Sequence, residues 1–205
     1  MTRTIKKMNV YDFDNTIYKG DSTADFYLFS LRKHPSIIKY SPSLLTAVLK
    51  FYLFKKGTKT EMKEKMYRFL TKIDPEKDVK TFWDTHEKNI KEWYLKQKKD
   101  DDIIISASSE FLLKPICERL GIKNLIASQV DIHTGKYSGI NCHGEEKVRL
   151  FNELYGTEID EFYSDSYSDS PLAEISKKAF MVNGDKIEEW TKGLSQNEAA
   201  ASQYK

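Results

Sequence analysis

The stretch Tyr11-Asp12-Phe13-Asp14-Asn15-Thr16 decides how this chain is read. It sets two carboxylates two residues apart at the end of Ile5 to Phe13, a run with the β-branched and aromatic content of a half-buried strand. Residues i and i+2 of a strand face the same way, so the two charges repel unless a cation neutralises them. The plainer reading is a solvated turn, because Asp and Asn are common where a strand gives way to a loop.

Working outward, a second strand is expected at Asp101 to Ser109, where Ile103, Ile104 and Ile105 run into small hydroxyl residues as in a central parallel strand. A helix follows through "EFLLKPICERLGI", with Gly121 near its end. Further strands are expected at Asn124 to Ser128, Ile159 to Ser166 and Lys178 to Gly184, with a hairpin turn at His133-Thr134-Gly135. A second helix covers "GEEKVRLFNELYG", ending near Gly156. Strands alternating with helices give an α/β fold with a mostly parallel sheet.

The first two strands are too far apart for an ordinary crossover, since 90 residues separate Thr16 from Ser106. Residues 20–98 carry helical patterns such as "SLLTAVLKFYLFKK" and "KTEMKEKMYRFLTKI", with breaks at Pro35, Pro42, Gly57 and Pro75. They read as an inserted helical cap over 18–98, leaving 1–17 and 99–194 as the core and 195–205 as a frayed polar tail.

The totals narrow the class. With 205 residues, 40% apolar and 31% charged, the chain suits one soluble catalytic unit with an accessory piece. Cys117 and Cys142 lie far apart and match no metal-ligand spacing, so neither a disulfide framework nor a zinc site is suggested, and a reducing cytoplasm fits best. No stretch approaches the roughly 20 apolar residues of a membrane span, and the N-terminal segment has no secretory h-region. Charge is uneven: residues 18–99 hold 19 Lys and Arg against 10 Asp and Glu, a net of +9, which leaves −7 for the rest of a chain whose total is +2.

The ends of the expected strands carry the chemistry. Ligands in open parallel sheets bind outside the carboxyl ends of the strands. Asp12 and Asp14 lie at one such end, Ser106 and Ala107 at a second, and Asp165 and Asp169 of "YSDSYSDSP" at a third. Mg²⁺, which takes one or two carboxylates plus waters and phosphate oxygens, would relieve the repulsion. Taken singly, Ser106 reads as a helix N-cap, Lys147 as a solvated side chain and "YSDSYSDSP" as an acidic loop.

In order, D-x-D-x-T, an apolar strand plus Ser106, Lys147 and then S-D-S-x-x-D form a four-part pattern that resembles the haloacid dehalogenase superfamily of phosphohydrolases across nearly the whole chain. It looks most like the phosphoserine-phosphatase-like subgroup, subfamily IB. "NLIASQV", "GEEKV" and "YSDSYSDSPL" resemble the phosphatidylglycerophosphatase C-type branch. Ser164 stands where many relatives have Gly. The resemblance implies a Rossmann-like parallel-sheet core with a C1-type helical cap inserted after the first strand.

It also implies roles. Asp12 would take the phosphoryl group as an aspartyl-phosphate, and Asp14 would be the general acid and then base. Ser106 and the Ala107 N–H would bind phosphate oxygens beside Lys147. Mg²⁺ would be held by the Asp12 side chain, the Asp14 carbonyl and Asp165, with Asp169 acting through a metal-bound water or by orienting Lys147. An alcohol is a poor leaving group without a proton, so the second carboxylate argues for phosphate ester chemistry.

Substrate class stays open at this level. A small phosphorylated metabolite, such as phosphoserine or a sugar phosphate, is one reading. The other is a lipid phosphate reached at a membrane surface, because Ser43 to Phe54 is apolar, broken by Lys50 and followed by Lys55, Lys56 and Lys59. The same segment also reads as an amphipathic helix packed within the cap. A non-catalytic phospho-ligand module fits less well, since every chemical position is filled. No base-stacking or groove-reading motif suggests nucleic acid. The location expected is cytoplasmic or membrane-peripheral, and nothing in the sequence sets an oligomeric state.

Overall fold

The computed structural model describes residues 8–53, 59–156 and 158–191. Residues 5–7 of the first expected strand, the end of the apolar segment at Phe54 to Lys56, the break at Gly57 and the tail 195–205 lie outside the described residues. Six strands form one sheet: β1 (Asn9–Tyr11), β2 (Ile103–Ser109), β3 (Asn124–Ser128), β4 (Ile159–Ser164), β5 (Ser176–Asn183) and β6 (Lys186–Glu189). Their spatial order is β3-β2-β1-β4-β5-β6, parallel except for the final β5–β6 pair. β1 is central, so its carboxyl end opens between those of β2 and β4.

Helices α1 (Ser22–Lys33), α2 (Ser41–Tyr52), α3 (Lys59–Tyr67), α4 (Pro75–His86) and α5 (Glu92–Gln97) come between β1 and β2. Then α6 (Glu110–Arg119) follows β2, α7 (Glu145–Tyr155) precedes β4 and α8 (Ser170–Glu174) precedes β5. Proline marks helix starts where its missing N–H costs nothing: Pro42 opens α2 and Pro75 opens α4, with Asp74 capping the latter by accepting from the Lys77 N–H. The segment expected as one helix over 59–73 tightens after Tyr67 into a 3₁₀ turn, Arg68–Lys72.

Alternation along the strands sorts two cores. Tyr11 and Ile104 face one side and join Phe26, Phe82, Trp83, Tyr94, Leu112 and Ile116; Val10, Ile103 and Ile105 face the other and join Phe151, Phe162 and Leu172. The first core therefore fuses the sheet with helices of the insertion. Trp83 of α4 stands edge-on to Phe13 and Tyr18 and donates its indole N–H to the Leu112 carbonyl of α6 at 2.7 Å. Phe26 and Phe82, both fully buried, each contribute roughly 2–3 kcal/mol of burial.

Two elements differ from the sequence expectation. β5 begins two residues earlier than Lys178, and β6 returns antiparallel to it through Gly184-Asp185, with Gly184 at φ +62° as a two-residue hairpin requires. The turn at Asp131 to Gly135 is present, closed by Asp131, but its flanks meet only in the single bridge Val130–Tyr137 rather than in a strand pair.

Candidate active site

The loop after β1 is shaped by its own residues. Ile17 and Tyr18 N–H groups turn back to the Phe13 carbonyl, and Asn15 sits at φ +56°, a left-handed conformation Asn tolerates better than most. This turn leaves Asp12 and Asp14 at the strand end, with Thr16 folded back over Asp12.

Lys147 is the centre of the cluster. It enters on the first turn of α7, is 2% exposed, and donates to Asp12 Oδ1 at 2.6 Å and to Asp169 Oδ2 at 2.7 Å. Ser164 Oγ donates to the same Asp169 oxygen at 2.8 Å. Thr16 Oγ1 lies 3.2 Å from Asp12 Oδ2 and 3.4 Å from Asp165 Oδ1, and accepts the Asp165 N–H at 3.0 Å. Asp12, Lys147, Asp165 and Asp169, drawn from three separate segments, thus meet.

The electrostatics are unbalanced. Burial would lower the Lys147 pKa, but Asp12 and Asp169 more than offset it, so the ammonium stays charged. Burial raises Asp12 despite Lys147 beside it. Asp165 is pushed up to about 7, by burial first and then by Asp12 and Asp169. Three carboxylates share one ammonium, an excess of two negative charges when all are ionised.

That excess is the charge of one divalent cation. Among the described residues no three acidic, His or Cys side chains gather closely enough to chelate an ion alone. Mg²⁺ does not require such a cage, because it binds through one or two carboxylates and keeps several waters. The Asp169 Oδ1 atom is buried without a hydrogen-bond partner, an acceptor that a metal-bound water would satisfy. The donor set therefore fits the ion.

Asp14 occupies a different pocket. Its Oδ1 accepts the Ser22 N–H at the start of α1 at 2.7 Å, and its Oδ2 accepts the Ser108 hydroxyl at 2.5 Å. Burial first, then Asp21, pushes its pKa up to about 7, against the lowering effect of those two donors. The paired aspartates of the sequence are thus held apart chemically: one against an ammonium, the other between neutral donors.

Ser106 is buried in the middle of β2 rather than at its end, just before the register with β3 shifts, and its Oγ accepts the Ser108 N–H at 3.0 Å. The Ala107 carbonyl accepts Lys63 Nζ of α3 at 2.7 Å and Ser128 Oγ at 3.1 Å. β2, paired with β1 through Tyr11 and Ile104, brings Ser106 and Ala107 alongside the carboxylates. Sequence reasoning missed Ser108, Thr23 and Lys63. Ser108 carried a signal, lying two residues after Ser106 near the end of the same strand. Thr23 and Lys63 carried none, since only the tertiary fold returns α1 and α3 to the strand ends.

The chain is similar to a probable phosphatase of Mycobacterium tuberculosis, 35% identical over 94 residues, covering 42% of this chain and 33% of that protein. The chain thus spans about a third of that relative's length. Among solved structures, a Bordetella pertussis protein of unknown function matches with TM-score 0.71 at 21% identity, over 86% of this chain and 89% of that one. A phosphoserine phosphohydrolase-like protein of Francisella tularensis matches with TM-score 0.53 at 18% identity, over 85% and 86%. The family model of haloacid dehalogenase-like hydrolases matches residues 10–174, and the chain belongs to that family.

Proposed function

We propose that this protein is a Mg²⁺-dependent phosphatase that hydrolyses a phosphate monoester of a small metabolite through an aspartyl-phosphate at Asp12. The observation that carries the reading is the buried cluster in which Lys147 bridges Asp12 and Asp169 while Asp165 approaches Asp12 through Thr16. Its excess of negative charge suits a divalent cation, and its ammonium suits a phosphate oxygen. The phosphatase name of the relative and the family membership support the same class.

Asp12 attacks phosphorus, and the ester oxygen departs with the proton held on Asp14. Asp14, now ionised, takes a proton from the water that attacks phosphorus next, and Asp12 leaves with its bonding electrons restored to the carboxylate. Lys147 holds Asp12 in line and balances charge on the transferring group, with Ser106 and the Ala107 N–H as donors to its oxygens. Asp12, the Asp14 carbonyl and Asp165 would hold Mg²⁺, with Asp169 orienting Lys147. When bound, the ion neutralises the equatorial phosphate oxygens and the carboxylates that face them.

Residues 18–98 serve as the cap over a core of 1–17 and 99–194. Among its described residues α1 and α3 reach the strand ends through Ser22, Thr23, Lys63 and Tyr67, Lys91 reaches the loop after β1, and α4 shares the sheet's own core.

A second reading, a lipid phosphate taken at a membrane surface, is favoured by α2. This helix buries Ala47, half-buries Leu44 and leaves Leu45 and Leu49 exposed, in one stripe with the exposed Leu53 that follows it. Residues 26–60 hold seven Lys and Arg and no Asp or Glu, which suits an anionic surface. Among the described residues no helix is long and apolar enough to cross a membrane.

The test is phosphate release from 4-nitrophenyl phosphate, phosphoserine, sugar phosphates and phosphatidylglycerophosphate in vesicles, with and without Mg²⁺, beside an Asp12→Asn control. Mg²⁺-dependent release from a soluble ester that the control lacks is expected. Selective release from vesicles would favour the second reading, and release that survives in the control would overturn the mechanism.

A further inference from the structure

We propose that Ser108 is a positioning residue for the Asp14 carboxyl, and that Thr23 and Tyr67 hold it in that role through a chain of buried hydroxyl groups. The inference rests on the reading of Asp14 as the acid and base. It assigns a task to three residues that belong to neither the phosphate-binding nor the metal-binding set.

The geometry begins at the carboxyl. Its terminal torsion is broad and two-fold, so one donor does not fix the plane. Here each oxygen has its own donor: the Ser22 N–H, fixed by α1 with Asp21 as N-cap, at 2.7 Å, and the Ser108 hydroxyl at 2.5 Å. Each oxygen keeps a second lone-pair site for the proton that is transferred. The two donors therefore aim the acid without consuming it.

Counting protons gives the chain a direction when Asp14 is the acceptor. Ser108 has one hydroxyl proton and donates it to Asp14. The 2.9 Å contact between Thr23 Oγ1 and Ser108 Oγ is then a donation by Thr23. With that proton spent, only Tyr67 can donate across its 3.3 Å contact to Thr23, and it shares its one proton between that contact and Ser109 Oγ, to which it donates at 3.1 Å. The three hydroxyls come from β2, α1 and the last residue of α3, and all three residues are buried. Tyr67 is itself fixed, because its carbonyl lies so close to Gly135 that a Cβ there would fall 2.5 Å away. The path ties both approaching helices of the insertion to the acid.

A buried hydroxyl row of this kind could merely satisfy its own members, and the leaving group distinguishes the two roles. An alkoxide must be protonated as it departs, whereas 4-nitrophenolate departs readily without a proton. An acid held slightly out of line therefore slows alkyl esters far more than the aryl ester. A structural defect slows both alike.

The experiment measures kcat/KM for 4-nitrophenyl phosphate and for an alkyl phosphate monoester that the wild type hydrolyses, at fixed Mg²⁺, in Ser108→Ala, Thr23→Val, Tyr67→Phe and Asp14→Asn. Expected for Ser108→Ala is a loss of about ten-fold or more on the alkyl ester against about three-fold or less on the aryl ester. Thr23→Val and Tyr67→Phe should split in the same direction by less, and Asp14→Asn by more. Equal losses on both esters in Ser108→Ala, or no loss, beside a clear split in Asp14→Asn, would overturn this inference and leave the role of Asp14 standing. Absence of a split in Asp14→Asn would remove the role of Asp14 and this inference with it.

Discussion

The Lys91 ammonium donates to the Asn15 carbonyl at 2.5 Å, tying the chain just before α5 to the loop that follows Asp14. The same nitrogen reaches the Gly184 carbonyl at 2.6 Å, so one buried side chain joins the loop after β1 to the β5–β6 turn. Lys91→Met would strip both carbonyls of a charged donor. We expect a loss of about 2–3 kcal/mol, read from the midpoint of urea unfolding, and an unchanged midpoint would show that water replaces the ammonium without cost.

The charge count around Lys147 predicts opposite effects for two neighbouring substitutions. Asp12→Asn removes one of three carboxylates and keeps a hydrogen-bond acceptor for Lys147, so without Mg²⁺ its stability should equal or exceed that of the wild type. Turnover should fall by roughly 10³-fold or more. Lys147→Met leaves the carboxylates buried without their cation and should cost about 3–5 kcal/mol at neutral pH. Thermal unfolding of both variants in chelator checks this, and equal destabilisation would contradict the assignment of excess negative charge.

Asp102 gives a pH dependence away from the site. It is 1% exposed just before β2 and accepts the Lys99 N–H at 2.8 Å. Burial first of all raises its pKa to about 6 from an ordinary 3.8, the Lys99 N–H opposing the rise. The folded state thus favours the protonated form: the contribution to stability is full below about pH 4 and is lost as pH rises through 6. Asp102→Asn keeps the acceptor and never ionises. It should be more stable than the wild type by about 3 kcal/mol at pH 8, with the advantage gone by pH 4; an advantage independent of pH would rule out this cause.

Gly135 sits at φ +72° with its α-carbon pressed on the backbone of Tyr67. A methyl group there would fall 2.5 Å from the Tyr67 oxygen and 2.7 Å from its carbonyl carbon, and neither is a flexible side-chain end. Gly135→Ala combines this overlap with left-handed strain and should cost about 3 kcal/mol. Gly121→Ala, also at positive φ but with open space around it, should cost only the strain. Similar midpoints for the two in guanidinium unfolding would refute the close approach.

The chemistry-bearing positions were legible in the sequence because they sit where local pattern is strongest. Asp12 and Asp165 directly follow a strand, Lys147 lies in the first turn of a helix and Ser106 closes the apolar run of β2, and each of those elements announces itself through a short run of neighbours. β6 was also within reach, since Asn183-Gly184-Asp185 is a hairpin signal, but its strand is short and mostly exposed and carries little apolar pattern. The apolar run at Ser43 to Phe54 was visible too. Its two apolar faces, one packed at Ala47 and one open at Leu45, Leu49 and Leu53, were not, because helical periodicity does not say which face finds a neighbour.

What the sequence determined by itself was the set of candidate reacting groups and the α/β frame that carries them, since both depend on residues close together in the chain. The tertiary structure decided their pairing: Lys147 between Asp12 and Asp169, Asp14 between Ser22 and Ser108, and Thr23 and Tyr67 behind Ser108. These contacts join residues separated by 8 to 135 positions, and most of them exist only because β1 lies between β2 and β4 while the insertion folds back over their ends. Strand order and helix packing are set by how the whole apolar surface closes, a property that no single stretch of the chain contains.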